Sequence, residues 1–328
     1  MKMIGKIKML LLVLGIFVCQ LIVCSGGNAK MHLQLTSGAM SGTYYVIGAP
    51  AARYVNGHSE MINVTPVTGG GIENIRKVNL GDSHFGMATP VEMFKAWNGK
   101  APFKKQMREW RTIGIATRVM LEHTVTLAKY NIGDVQDLKG RIFSIGAAGS
   151  GAAAGMLEFL QHTGLAKDIK LRKFPHKDTT PLLLDGKIHA FNRLGSVPSG
   201  QIAEVAAQKK IALVDFGPML EKSAFLKKYP YYQKAVVPGG TYKGEKRDVT
   251  FFGMAGYFFA GKDVSEDVVY EFTKLVYSDG CIKSLTMAYK GHNVNRTAPL
   301  AGNIAPVHPG AARFWKEIGL QIPEPSLK

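Results

Sequence analysis

The stretch His32-Leu33-Gln34-Leu35-Thr36, running into Ser37-Gly38-Ala39-Met40-Ser41-Gly42-Thr43-Tyr44-Tyr45, decides the fold of this chain. Residues 32–36 read as a strand, residues 45–56 carry helical periodicity, and the glycines between them make a tight turn. Such a join leaves the first-turn N–H groups without helical acceptors, at the positive end of the helix dipole. It is a device for holding an anion. The pattern recurs at Thr68-Gly69-Gly70-Gly71-Ile72-Glu73-Asn74, ahead of a helix expected over 72–80, and at Gly146-Ala147-Ala148-Gly149-Ser150-Gly151, ahead of one expected over 152–163. Its repetition in separate parts of the chain predicts a cleft that captures a small anionic solute.

Outward from these turns, strand-like runs (32–36, 111–116, 124–128, 141–145, 169–174, 189–193, 211–215 and 250–260) alternate with helical patterns (45–56, 72–80, 91–97, 152–163, 180–185, 199–207, 219–228, 266–277, 282–290 and 311–318). The alternation marks an α/β fold in which parallel sheets are covered by helices. Gly164 and Gly186 fall where helices stop. No repeat, low-complexity tract or Pro/Ser-rich linker divides the chain in series. Long apolar stretches at 119–128 and 249–260 instead suit a chain that runs out to a second lobe and back, which predicts discontinuous lobes of 30–118 with 257–328, and of 119–256. Lobes joined by hinge strands close around a ligand held between them.

The N-terminus reads as an export signal over residues 1–29: Lys2, Lys6 and Lys8 precede an apolar run from Met9 to Val23, and Gly27-Asn28-Ala29 resembles a cleavage site. Cys24 offers a second reading as a lipid-modified terminus, and an uncleaved anchor is a third, which the run from Met9 to Cys24 barely satisfies. Beyond the signal only Cys281 remains, so no intramolecular disulfide is expected and stability rests on a conventional core. The formal charge of +17 falls to +14 without the three signal lysines. A basic surface favours anionic partners. The lysines, however, are scattered in pairs such as Lys104-Lys105 and Lys209-Lys210, with no dense basic run interleaved with aromatics, which argues against nucleic acid.

Enzyme motifs fail one by one. Gly146 and Gly151 have P-loop spacing, but Ala152-Ala153 stands where Lys-Ser/Thr is needed, and the glycine order does not fit a dinucleotide fingerprint. Neither Ser150 nor Ser196 lies in a Gly-x-Ser-x-Gly elbow. The histidines form no His-Glu-x-x-His group, and one cysteine excludes a cysteine-rich metal site. Asp134/Asp137 and Glu266/Asp267 read as turn or helix-start residues. No cofactor or metal is expected, and binding is the default over catalysis.

Taken in order, these segments resemble the TAXI branch of TRAP transporter solute-binding proteins. Ser41-Gly42-Thr43-Tyr44-Tyr45-Val46-Ile47-Gly48 is similar to the family's Gly-Thr-Tyr-Tyr-Pro-Ile-Gly segment, and Thr68 to Arg76 to its Thr-Gly-Gly-Ser-Val-Glu-Asn-Leu-Arg segment. Asp137-Leu138-Lys139-Gly140-Arg141, Gly149-Ser150-Gly151, Val236 to Tyr242 and Pro306-Val307-His308-Pro309-Gly310-Ala311 continue the match over the whole exported chain. The resemblance implies a two-lobed α/β fold of the class II periplasmic binding-protein kind, with the ligand cleft between the lobes. It implies that Thr43 and Tyr44 line one wall, Thr68, Gly69 and Gly70 the next, and Ser150 and Gly151 the opposing lobe. The chain departs from the family at Phe85-Gly86-Met87-Ala88-Thr89-Pro90-Val91, where relatives carry Leu-Gly-Ile-Val-Gln-Ser-Asp, so Thr89 stands in for a polar, acid-containing corner. It departs again at Phe191-Asn192-Arg193-Leu194, where Asn192 and Arg193 replace apolar residues at a strand end. A guanidinium there has the planar fork that matches a carboxylate.

The function expected is that of a periplasmic receptor for a small organic anion, a mono- or dicarboxylate and glutamate-like at the family's suggestion, which docks on TRAP membrane permease subunits. A sensory receptor using the same cleft, and a secreted enzyme, are the alternatives.

Overall fold

The computed structural model describes residues 29–40, 42–117, 119–289, 294 and 296–325. The signal and Cys24 expectations lie outside the described residues. The chain opens with three strand-to-helix units: β1 (Met31–Thr36) into α1 (Thr43–His58), β2 (Ile62–Val67) into α2 (Gly71–Leu80), and β3 (Phe85–Ala88) into α3 (Pro90–Trp97). The strands pair in parallel in the order β2-β1-β3, and β4 (Trp110–Ile115) follows in the same sheet. The second sheet then takes β5 (Met120–Leu127), β6 (Ile142–Ser144), β7 (Lys170–Arg172), β8 (Ala190–Gly195), β9 (Ile211–Leu213), β10 (Gln233–Val237) and β11 (Val249–Met254). Its order is β10-β11-β5-β8-β6-β7, with β9 also on β5. Parallel pairs join β6 to β7 and β8, while β5 runs antiparallel to β8, β9 and β11. Helices α4 (Gly151–His162), α5 (His176–Leu184), α6 (Gly200–Gln208), α7 (Gly217–Ser223) and α8 (Phe225–Lys228) belong to this lobe. Strand β12 (Tyr257–Gly261) returns to the first sheet, antiparallel between β3 and β4, and is followed by α9 (Glu266–Val276), α10 (Asp279–Ala288) and α11 (Pro309–Glu317).

The apolar run read as one strand over 250–260 is thus two strands in two different sheets, broken at Ala255-Gly256. The break has a local cause. Gly256 donates its N–H to Thr117 Oγ1 at 2.7 Å and accepts from Ala116 N, so the two stretches that cross between the sheets are tied to each other. A β-carbon at Gly256 would lie 2.7 Å from Tyr44 Cε1, so the crossing also rests against α1. Strands β2, β3 and β10 were not expected. Ile62–Val67 carries Pro66, and Phe85–Ala88 is four residues long and holds Gly86, over which the Phe259 ring lies.

One apolar core fills the outer side of the first sheet, with Leu35, Ile47, Phe85, Phe258, Phe272 and Trp315 fully or almost fully buried. A second runs from Ile75, Val91 and Trp110 of the first lobe into Phe143, Phe159 and Phe252 of the other. The lobes are therefore in apolar contact, as the Phe94 and Tyr231 rings also show at 6.2 Å between centroids. Among the described residues no helix is long and apolar enough to cross a membrane.

Candidate functional site

The carboxyl ends of β1, β2 and β3 lead into α1, α2 and α3, and β6 leads into α4, so these helices begin at the strand ends where α/β sheets hold their ligands. A cavity of about 320 Å³ lies there, between the lobes. Thr43 of α1, Gly71 of α2, Thr89 as N-cap of α3, Gly151 of α4 and His176 of α5 all line it, so five helices turn their positive ends toward one space. The remaining wall is mostly small or apolar, with Ala39, Met120, Ala148, Ala152 and Leu194.

The start of α2 is held in place by one buried side chain. Asn74 Nδ2 donates to Ser37 O at 2.5 Å and Met87 O at 2.7 Å, while its Oδ1 accepts from Thr36 Oγ1 at 2.7 Å and Gly70 N at 3.2 Å. It joins the ends of β1 and β3 to the first turn of α2. Its closeness explains Gly69, where a β-carbon would collide with Asn74 Oδ1 and lie 2.8 Å from Thr36 Oγ1. In the second lobe, Gly146 and Gly149 adopt φ of 113° and 75°, left-handed values that favour glycine and bring residues 147–151 back onto the cavity.

Thr43, Tyr44, Gly69, Gly70, Thr89, Ser150, Gly151 and Arg193 line the cavity; Thr68 and Asn192 do not. Thr68 is exposed to solvent. At the end of β8 the cavity is lined by Arg193 and Leu194 but not by Asn192. Arg193 takes the cavity, and Asn192 is fully buried, donating to Glu122 Oε2 at 2.5 Å where Gly155 of α4 crosses the sheet. The expected hydroxyl donors are also less free than their residue types suggest. Ser150 Oγ donates to Ala147 O at 2.8 Å and accepts from Ala153 N at 3.2 Å, and Thr89 Oγ1 donates to Glu92 Oε2 at 2.8 Å. Their N–H groups are engaged as well, Ser150 N with Ala147 O at 3.2 Å and Thr89 N with Glu92 Oε2 at 2.8 Å. Tyr44 Oη is buried without a partner beside Gly256, and burial, then the Glu92 charge, holds the phenol well above its ordinary range.

Arg193 is the guanidinium in the cavity wall. Burial lowers its pKa, opposed by Tyr289, but a guanidinium stays charged in any protein setting. Among the described residues no carboxylate forms an ion pair with it. His176 lies close enough to feel this charge; burial first, and Arg193 second, bring it down to about 3, so the imidazole is neutral near pH 7. Sequence reasoning missed His176 because the helix was expected over 180–185, whereas it begins at His176, with Asp178 in its first turn.

Glu92 was missed as well. It completes a capping box on α3, its Oε2 accepting from Thr89 N at 2.8 Å, a pattern legible as Thr89-x-x-Glu92. Its Oε1 is buried without a partner. The carboxylate fills the space where a β-carbon of Gly71 would go and lies 3.6 Å from the corresponding position at Gly151, so it is sealed between helix starts of both lobes. Burial pushes its pKa up to about 7 against the Thr89 hydrogen bonds and Lys95.

Residues 35–319 match the NMT1-like family. The chain belongs to that family. It corresponds to the TAXI-type TRAP substrate-binding proteins, which bind solutes and are not catalysts. As a fold, this NMT1-like chain is similar to a structure reported for glutathione import via GshT and the cystine ABC importer TcyBC of Streptococcus mutans, at 13% identity over 80% of this chain and 96% of that one, with a TM-score of 0.51. It is also similar to the periplasmic aliphatic sulphonate binding protein SsuA from Escherichia coli, at 13% identity, 88% and 91% coverage and a TM-score of 0.48. The two mixed α/β sheets form the two lobes of a class II periplasmic binding protein.

Proposed function

We propose that this solute-binding receptor captures a small organic anion in the interlobe cavity and delivers it, from the periplasm, to the membrane subunits of a TRAP carrier. One observation carries the reading: five helix starts and an Arg193 guanidinium without an ion pair among the described residues face the same cavity. Helix N-termini and a planar cation are complementary to a carboxylate. Thr43, Tyr44, Gly69, Gly70, Thr89, Ser150, Gly151 and Arg193 are the proposed contacts. Residues 30–118 with 257–328, and 119–256, are proposed as the moving lobes, hinged where Ala116-Thr117 and Ala255-Gly256 cross between the sheets. Native mass spectrometry of the purified protein, followed by release and identification of its co-purifying solute, tests this directly. An organic anion is expected; a neutral or cationic solute refutes the reading.

A further inference from the structure

Resting on that reading of the cavity, we propose that Glu92 sets the charge of the accepted solute, so that the site takes a monoanion and rejects a dianion. Arg193 is the cavity wall's cation, since His176 is neutral and the other lining residues are uncharged. A first carboxylate on the solute is matched by Arg193. A second one has the helix starts of α2, α3 and α4 left to it, and there Glu92 already stands.

Its carboxylate lies directly behind Gly71, Thr89 and Gly151, each of which lines the cavity, with no side chain at either glycine to separate it from a solute. One oxygen is held by Thr89, and the other is buried and unpartnered. An ionised Glu92 therefore offsets the positive ends of these helices and repels a second anionic group within a few ångströms. A solute with one carboxylate and a small apolar body avoids that repulsion and suits the Ala148, Ala152, Met120 and Leu194 wall.

The discrimination is pH-dependent, because burial pushes Glu92 up to about 7. Below that value the carboxyl is protonated and its repulsion vanishes; above it the repulsion is complete. The groups facing Glu92 do not blur this window. Tyr44 from α1 stays a neutral phenol, Lys95 of α3 is cationic, and Gly71 of α2 and Gly151 of α4 bring no titratable side chain. In the cavity itself, His176 titrates far below the window, and the Arg193 guanidinium keeps its charge.

Crotonate and fumarate make a matched pair of probes, rigid four-carbon acids with one and two carboxylates that both remain ionised through the window. Calorimetry on the intact protein at about pH 8 is expected to show crotonate favoured over fumarate by about tenfold or more. The ratio should narrow toward one in Glu92→Gln, and likewise in the wild type as the pH falls from about 8 to about 6. If Glu92→Gln does not fold, the wild-type pH series carries the test alone. Fumarate binding as tightly as crotonate at the higher pH, or a ratio that ignores both the pH and the substitution, overturns the assignment and leaves the anion receptor standing. Failure of both probes, and of every other small organic anion tried, refutes the anion reading itself and this assignment with it.

Discussion

Gly151→Ala separates lobe closure from lobe folding. Gly151 opens α4 in one lobe, and a β-carbon there would lie 2.7 Å from Thr89 Cγ2 in the other. Carbon atoms rest about 3.5–4.0 Å apart, so the added methyl forces the lobes to part by about 1 Å. Overpacking of this kind costs about 1–3 kcal/mol. Within its own lobe the alanine is harmless, because position 151 lies at a helix start, outside the left-handed region. The unliganded protein should therefore melt at an unchanged or slightly higher temperature, while affinity for the co-purifying solute falls about five- to 150-fold. Gly155→Ala, one turn further along α4, is the contrast. Its β-carbon would lie 2.5 Å from Glu122 Oε1 and 2.7 Å from Met254 Cε, both within the same lobe, so it should lower stability itself. Calorimetry paired with thermal melting reads both quantities. Unchanged affinity in Gly151→Ala, or an affinity loss matched by an equal loss of stability without ligand, refutes the claim that this contact belongs to the closed state.

Arg193→Ala should weaken solute binding by about 1.5–3 kcal/mol, roughly ten- to hundredfold, with little change in melting temperature; unchanged affinity by calorimetry removes the guanidinium from the site. Asn74→Ala strips partners from Ser37 O and Met87 O and should cost about 2–4 kcal/mol in urea unfolding, with loss of solute affinity because the start of α2 loses its tie to the ends of β1 and β3. Glu122 is fully buried, and burial raises its pKa well above the ordinary range despite the Asn192 hydrogen bond, so the folded state holds its proton more firmly than the unfolded chain does. Stability of the wild type should accordingly fall as pH rises above the unfolded carboxylate's range, and Glu122→Gln should flatten that slope; parallel urea-unfolding profiles for the two proteins would contradict it.

The sequence carried the glycine turns and the helices after them well, though not the strands β2 and β3, because each turn and the apolar period after it lie within about two dozen residues. The cavity wall followed from them, and Thr43, Gly70 and Gly151 sit where the turns point. What was not legible depends on partners far along the chain. The break at Gly256 is decided by Thr117 and Tyr44, and the need for glycine at 69 in part by Thr36. The parting of Asn192 from Arg193 is decided by Glu122, 70 residues back along the chain, whose carboxylate holds the Asn192 amide. Glu92 shows the boundary most sharply. Its capping box is written in four consecutive residues, but the sealing of its second oxygen between Gly71 and Gly151 exists only once the lobes meet.

The most direct test of the central claim is a crystal structure of the protein with the solute it carries from the cell. The account predicts a carboxylate lodged among the first turns of the helices that begin at Thr43, Gly71 and Gly151, within hydrogen-bond reach of Arg193. A solute seated elsewhere, or one that turns an uncharged or cationic group toward Arg193, contradicts it.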